Sequence, residues 1–187
     1  MQKFAFFFVA LLLSVPVAAQ DVPMVEVFGG YQYLHFGGNT SLGADSGQGF
    51  NGWNAAAAYN FGKYLGVEGD FSGSYADIGG VSTRVYTYGG GPVVFMNSDR
   101  IKPFAHVLFG GAKLSGSESG VSISWDGYTV MAGGGVDARV GRNLAVRVAQ
   151  FDWIYYHFGS KTIANITLPS FSGSNNVRFS TGIVLRF

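Results

Sequence analysis

The sequence lacks cysteine entirely and carries little charge for a chain of 187 residues. Without cysteine, a disulfide framework and a thiolate metal site are both excluded. Charged residues make up 12% of the chain and the formal net charge is +1, so the composition offers no basic surface for nucleic acid. We therefore expect no nucleic-acid partner, and nothing in the composition indicates a cofactor.

Long apolar runs are missing as well, except near the start of the chain. A short basic opening at residues 1–3 is followed by an apolar stretch over 4–15 and a small-residue exit over 16–20. This order predicts a cleaved secretory signal peptide over residues 1–20, with cleavage after Ala19 or after Gln20. A membrane-anchoring helix is the alternative, but the run is shorter than the ~20 residues that a spanning helix needs.

Glycine and aromatic residues are abundant instead. The chain contains 29 Gly, 17 Phe and 10 Tyr. Glycine-rich chains are often disordered, but disordered chains are poor in aromatic residues. Glycine combined with aromatics in alternating segments is typical of curved β-sheets and barrels.

The last twelve residues show this alternation most clearly. Phe187, Leu185 and Ile183 fall on one face of an extended strand, whereas Arg186 and Arg178 fall on the other. A period of two with apolar and charged faces is typical of a strand that has lipid on one side and a polar interior on the other.

The same pattern recurs along residues 21–187, which we expect to form one domain of eight strands. The predicted strands cover residues 24–36, 50–61, 64–75, 82–96, 101–114, 125–140, 144–158 and 176–187. Short turns alternate with longer connections, of which the longest are Gly37–Gly49, Ser115–Ser124 and Gly159–Asn175. This arrangement predicts an all-β fold, an eight-stranded antiparallel up-and-down transmembrane β-barrel. A soluble β-sandwich is the alternative fold.

Two irregularities are expected within the strands. Arg147, Gln150 and Asp152 should all face the interior. Alternate residues of a regular strand face opposite sides, however, and Arg147 is at an odd position whereas Gln150 and Asp152 are at even ones. A β-bulge near Val148-Ala149 would reset the alternation by one residue. Pro92 lacks a backbone donor and indicates a second local irregularity in the fourth strand.

Charged side chains at inward positions form the candidate site. Because an unpaired buried charge is costly, we expect them to pair as a structural network that replaces an apolar core. A narrow gated pore along Glu68, Asp137, Arg147 and Arg178 is the alternative. The predicted interior charge network consists of Glu26, Glu68, Asp70, His106, Asp137, Arg139, Arg147, Asp152, Arg178 and Arg186.

Aromatic residues near strand ends predict girdles at the two membrane–water interfaces. The predicted girdles include Tyr31, Tyr33, Trp53, Tyr64, Tyr88, Phe104, Trp125, Tyr128, Trp153 and Phe187.

A catalytic site is not expected from the residue pattern. His157 and Ser160, with Asp152 nearby, offer the residue types of a lipid-modifying enzyme, but nothing in their spacing holds them in hydrogen-bond reach. The three histidines fall on different strands, so the sequence indicates no metal site. An enzyme therefore remains a third alternative.

Several segments together resemble one known family. They are Val27–Tyr31, Leu65–Asp70, Gly134–Asp137, Gln150–Trp153 and the terminal Phe187. In this combination the chain resembles the small OmpA/OmpX-type outer membrane β-barrel domain family, without the C-terminal peptidoglycan-binding domain of full-length OmpA. Because the peptidoglycan-binding domain of full-length OmpA has no counterpart in the sequence, we do not expect a cell-wall-anchoring role.

The resemblance implies export by way of periplasmic chaperones and insertion into the outer membrane of a Gram-negative cell. The assembly machinery there reads the last strand, so Phe187, Leu185 and Ile183 are the implied assembly signal. By this resemblance, Glu68, Asp137 and Arg147 match positions at which the family carries charged residues in the barrel interior.

From these features we expect a monomer with a structural or surface-interaction role. Its expected partners are outer membrane lipids and lipopolysaccharide, and an unknown surface ligand contacted by the three long loops. A diffusion pore and a lipid-modifying enzyme are the competing functions.

Overall fold

The computed structural model describes residues 23–37, 47–118, 121–163, 166–168 and 170–187. The predicted signal peptide at 1–20 and most of the first predicted loop, residues 38–46, lie outside the described residues. No helix in the described part of the chain is long and apolar enough to cross a membrane.

The described residues form ten β-strands. Eight long strands are β1 Val25–Phe36, β2 Gln48–Asn60, β3 Leu65–Ile78, β4 Val81–Phe95, β5 Ile101–Glu118, β6 Val121–Arg139, β7 Leu144–Phe158 and β10 Phe171–Arg186. Two short strands, β8 Lys161–Ile163 and β9 Ile166–Leu168, pair with each other.

The eight long strands make one closed antiparallel barrel. Each strand pairs with its neighbours in sequence, and β10 returns to pair with β1 from Glu26↔Arg186 to His35↔Val177. Closure leaves no unpaired edge among these strands, which is what a sheet in lipid requires. The predicted eight-stranded transmembrane barrel is thereby confirmed, and the sandwich alternative is wrong.

The alternation of side chains is inverted relative to a water-soluble protein. Outward-facing Phe109 and Ile183 are 60% and 55% exposed, whereas inward-facing Asp152 and Arg178 are 0% and 1% exposed. Apolar residues on the outside and charges inside are stable only when the outside solvent is lipid. The barrel wall therefore carries its hydrophobic surface outward.

An uncharged band surrounds the barrel. Among the described residues, the outward positions of β3 carry no charge from Leu65 to Tyr75, and those of β5 none from Ile101 to Gly111. Each stretch matches the ~9–11 residues that a tilted transmembrane strand needs. Charged outward residues begin immediately beyond this band, at Asp77 on β3 and Lys113 on β5.

Short turns occupy one end of the barrel, at residues 61–64, 96–100 and 140–143. We call this the periplasmic end, because short turns face the periplasm in outer membrane barrels. At the opposite, outer end β3 and β4 meet in a two-residue hairpin loop, Gly79-Gly80. Both glycines have positive φ (59° and 86°), a conformation that disfavours other residues.

The outer connections differ from two of the predictions. The prediction of a loop over Ser115–Ser124 is wrong. β5 and β6 stay paired from Ile101↔Ala138 to Glu118↔Val121, so only residues 119–120 lie between the two strands. The predicted loop Gly159–Asn175 is wrong in part, because it contains the β8–β9 hairpin and the first residues of β10. Gly and Ser resemble a loop in composition, but here the neighbouring strand supplies their backbone partners.

Both predicted irregularities are present. The register of β7 shifts against β6 between Val136 and Asp137, and against β10 between Ser180 and Gly182. Both shifts place the extra residue at Val148-Ala149, so the predicted bulge is confirmed.

At Pro92 the ladder with β5 is interrupted. Gly90 pairs with Phe109 and Val93 pairs with His106, but the two residues between are unpaired on that side, with no change of register. The missing proline donor accounts for the gap.

Candidate functional site

The centre of the barrel is organised by Arg178. Its guanidinium donates to Asp70 through two nitrogens, at 2.8 and 3.2 Å, and to Asp152 at 2.7 Å. Ser72 accepts a further bond at 3.3 Å. The two-point pairing with Asp70 fits the planar fork of arginine, so Arg178 ties β10 to β3 and β7 across the lumen.

His106 extends this cluster to a second acid. Its Nδ1 lies 2.8 Å from Glu68 Oε1 and its Nε2 lies 2.8 Å from Asp152 Oδ1. A neutral imidazole has only one N–H, whereas the imidazolium donates from both nitrogens. Contact of both ring nitrogens with carboxylates therefore fits the charged form of His106.

Arg147 continues the network toward the periplasmic end. It donates to Asp137 at 2.8 and 3.2 Å and to Gln150 Oε1 at 2.7 Å, and Gln150 donates in turn to Asp152 at 2.8 Å. Its guanidinium carbon also lies 4.3 Å from the ring centroid of Phe28. The bulge in β7 is what allows Arg147 and Gln150 both to point inward.

A separate group closes the periplasmic end of the lumen. Glu26 accepts from Arg186 Nε at 3.0 Å and is bonded to the ammonium of Lys102. The same ammonium lies 3.8 Å from the ring centroid of Phe95. These contacts join β1, β5 and β10 at the end where the chain closes the barrel.

The buried charges balance. The described interior holds five carboxylates and four permanent cations: Glu26, Glu68, Asp70, Asp137 and Asp152 against Lys102, Arg147, Arg178 and Arg186. A protonated His106 supplies the fifth positive charge. Paired in this way, the interior avoids the cost of an isolated buried charge.

Glycine on the inner face makes room for the network. A Cβ added at Gly133 would collide with the Asp152 carboxylate and with the backbone of Phe151. In the run Gly133–Gly135 of β6, Gly133 and Gly135 serve close packing against β7, whereas Gly134 lies against the backbone of β5.

The outer half of the interior is apolar, which the sequence reasoning did not foresee. The buried cluster there consists of Leu34, Phe50, Val85, Leu108, Ala112, Met131, Ile154, Tyr156 and Phe158. Leu108, Met131 and Phe158 are fully buried. We call this cluster the apolar plug, because it fills the barrel above the charged network.

The cavity found among the described network residues is small. A cavity lined by Glu26, Glu68 and Arg147 measures about 10 Å³, which is room for about one water molecule. A larger concavity of about 610 Å³ is lined by Ala55, Gly69 and Gly90, whose positions face lipid. Most of its lining residues have outward parity, so it lies against the outer surface of the wall.

Nine of the ten predicted network residues are buried in the interior: Glu26, Glu68, Asp70, His106, Asp137, Arg147, Asp152, Arg178 and Arg186. The tenth, Arg139, is exposed at the periplasmic rim, so its predicted place in the network is wrong. Its parity points inward, but β6 ends there and the side chain reaches solvent.

Lys102 was missed by the sequence reasoning. It has the same parity as inward-facing His106, and this signal would have found it. Lys102 was not assigned to the interior because it lies only two residues after the turn at 96–100, where lysine is common at the surface.

Most predicted girdle residues face outward, with two exceptions. Tyr64 is 66% exposed and Phe187 is 62% exposed, as expected of side chains at the edge of the membrane. The girdle prediction is wrong for Phe104, because this side chain is buried beside Val93 and Phe95. It is also wrong for Trp125, because this side chain packs against the apolar plug.

The residues weighed for catalysis do not come together. Asp152 points into the lumen and is held by Arg178 and His106. His157 has the outward parity of β7, and its Nδ1 lies 2.7 Å from the Oγ of Ser172 rather than meeting Ser160. The barrel wall therefore separates the acid from the histidine.

Comparison with solved structures shows the same fold in small outer membrane proteins. Neisserial surface protein A (NspA) superimposes with a TM-score of 0.65 at 12% identity, covering 90% of this chain and all of that one. Ail of Yersinia pestis, solved in complex with the heparin analogue sucrose octasulfate, gives 0.57 at 17% identity over 89% of this chain and 99% of that one. OprG of Pseudomonas aeruginosa gives 0.53 at 7% identity over 90% and 98%.

A search of curated protein sequences finds no match. The sequence profile described as "Outer membrane protein beta-barrel domain" matches residues 5–187, which is nearly the whole chain. Together with the closed barrel and its inverted side-chain pattern, this match shows that the chain belongs to the outer membrane protein β-barrel domain family.

Proposed function

We propose that this protein is a closed, non-conducting outer membrane barrel that acts as a structural and surface-interaction protein. The observation that carries the proposal is the filled lumen. The charged network occupies the periplasmic half, the apolar plug occupies the outer half, and the cavity between the network residues has room for about one water. Function then depends on the outer surface of the barrel.

The outer ends of the strands support this proposal. β5 and β6 are 18 and 19 residues long, whereas a tilted strand needs only ~9–11 residues to cross the membrane. About seven residues of each strand therefore extend past the uncharged band, over a distance on the order of 20 Å. The described part of the extension is a paired antiparallel sheet, and backbone pairing lowers the entropic cost of holding a partner.

A diffusion pore is the weaker proposal. Ions crossing the lumen would have to pass Leu108, Met131 and Phe158, which are fully buried and offer no polar groups. The charged side chains below them are bonded directly to one another, so opening a path would also break several ion pairs.

A polysulfated glycan is a suitable first probe for the outer surface. The Yersinia pestis protein of the same fold was solved with a heparin analogue. In this chain Arg84 and Lys113 are exposed on the outward face of the extension, on β4 and β5. Sulfate groups are anions that such side chains can bind.

Replacing Arg84 and Lys113 together by Gln is expected to abolish adhesion of cells displaying the protein to a heparin-coated surface. The two changes remove the exposed cations that would bind sulfate and alter no side chain of the interior network. The double variant should therefore still show a heat-dependent gel shift.

The matched control carries Arg100→Gln and Arg142→Gln at the periplasmic end and should adhere like the wild type. Equal adhesion by the wild type and by the Arg84→Gln, Lys113→Gln variant would show that these two side chains do not form the interaction surface. If cells with and without the wild-type protein adhere equally, the proposed glycan interaction is wrong.

A further inference from the structure

The periplasmic turns carry positive charge that the interior network does not use. Lys63 lies in the β2–β3 turn, Arg100 in the β4–β5 turn, and Arg139 and Arg142 at the β6–β7 turn. All four are exposed, and none forms an ion pair with another described residue. Asp99 is the single acid in these turns. We call the four cations the periplasmic ring.

The ring adjoins four of the most exposed apolar side chains of the barrel. Phe61, Tyr64, Met96 and Val140 are 60–66% exposed, and each lies within four residues of a ring cation. In a membrane barrel these side chains face the edge of the hydrocarbon. The long stems of Lys and Arg pack along such surface while their charged heads stay at the polar boundary. The ring is therefore placed at the level of lipid headgroups.

The opposite end of the membrane band differs in charge. There the exposed cations among the described outward side chains are Arg84 and Lys113, and both have nearby acids. Lys113 is directly paired across strands with Asp126, and Asp77 stands diagonally from Arg84 beside the Tyr75↔Arg84 pair. These four described charges sum to zero, whereas the periplasmic turns keep a net positive charge.

We propose that the periplasmic ring binds the phosphate groups of anionic phospholipids in the periplasm-facing leaflet. The ring supplies unpaired cations at headgroup depth on three of the barrel's turns, and the adjoining apolar rim supplies the surface for the acyl chains. Each basic residue near an anionic lipid surface contributes a sizeable attraction that salt screens. This binding is independent of the outer extension and of its proposed glycan interaction.

Native mass spectrometry of the refolded protein tests this proposal. The protein is incubated in detergent with equal amounts of phosphatidylglycerol and phosphatidylcholine of the same chain length, and retained lipids are counted. We expect wild type to retain phosphatidylglycerol about fivefold over phosphatidylcholine. The preference should be weaker in 500 mM than in 50 mM ammonium acetate, because salt screens the attraction between the cations and the phosphates. The screening length is about 10 Å at 0.1 M salt and shorter at higher concentration.

A quadruple variant, Lys63→Gln, Arg100→Gln, Arg139→Gln and Arg142→Gln, should lose the preference. The matched control, Arg84→Gln with Lys113→Gln, removes two cations at the outer end and should keep it. Equal retention of both lipids by wild type, a preference unaffected by salt, or loss in the control instead of the quadruple variant would each overturn the proposal. Wild-type salt dependence decides the question even if the quadruple variant fails to fold.

Discussion

Replacing Arg178 by Met is expected to destabilise the barrel by about 3–5 kcal/mol, the cost of removing one partner from a buried ion-pair group. Arg178 is 1% exposed and holds Asp70 and Asp152 at 2.7–3.2 Å. Among the described residues, its removal leaves the Asp70 carboxylate with Asn54 as its one remaining side-chain partner, at 2.7 Å. Urea unfolding of the refolded protein in micelles, followed by tryptophan fluorescence, measures the loss.

The matched control is Arg139→Met, because Arg139 is exposed and has no ion pair with a described residue. Its effect should stay within ~0.5 kcal/mol. Adding Asp70→Asn to Arg178→Met should recover part of the loss, since the uncompensated charge disappears with the second change. If Arg178→Met and Arg139→Met cost the same, the network does not stabilise the fold.

Placing arginine at Val107 is expected to cost about 2–4 kcal/mol, the penalty for a lipid-facing charge near the middle of the bilayer. Val107 is 40% exposed and lies midway along the uncharged stretch of β5. Folding into phosphatidylcholine vesicles, monitored by the gel shift and by urea titration, gives the size of the effect.

Val140→Arg is the control of the same residue type. Val140 is 61% exposed and lies at the periplasmic edge, where a charge reaches the headgroups and costs ~0–1 kcal/mol. Equal penalties at the two positions would mean that the uncharged band does not mark the membrane.

Much of the fold follows from the period-two pattern, because each barrel strand has lipid on one side and the lumen on the other. The conflict between Arg147 and Gln150 even located the bulge in β7, since no regular strand could point both side chains inward. The pattern fails where composition imitates a loop. Residues 115–118 are rich in Ser and Gly, yet they extend β5 because β6 pairs with them.

The site was less predictable than the fold. Parity identified inward charges but not their partners, since Asp70 and Arg178 are 108 positions apart in the chain. The apolar plug was missed because residues such as Leu34 and Met131 break the rule of polar inward positions. Near the outer end the lumen is closed by packing instead of by charge, and only the assembled barrel brings those side chains together.

The closed lumen is the central claim, and conductance in a planar bilayer tests it most directly. The refolded protein, shown to be folded by its gel shift on heating, should give no stepwise current. Arg147→Ala should stay silent as well, because the apolar plug remains in place above the network. Discrete currents from the wild-type protein that change with Arg147→Ala would show a conducting path through the charged interior and would contradict the account.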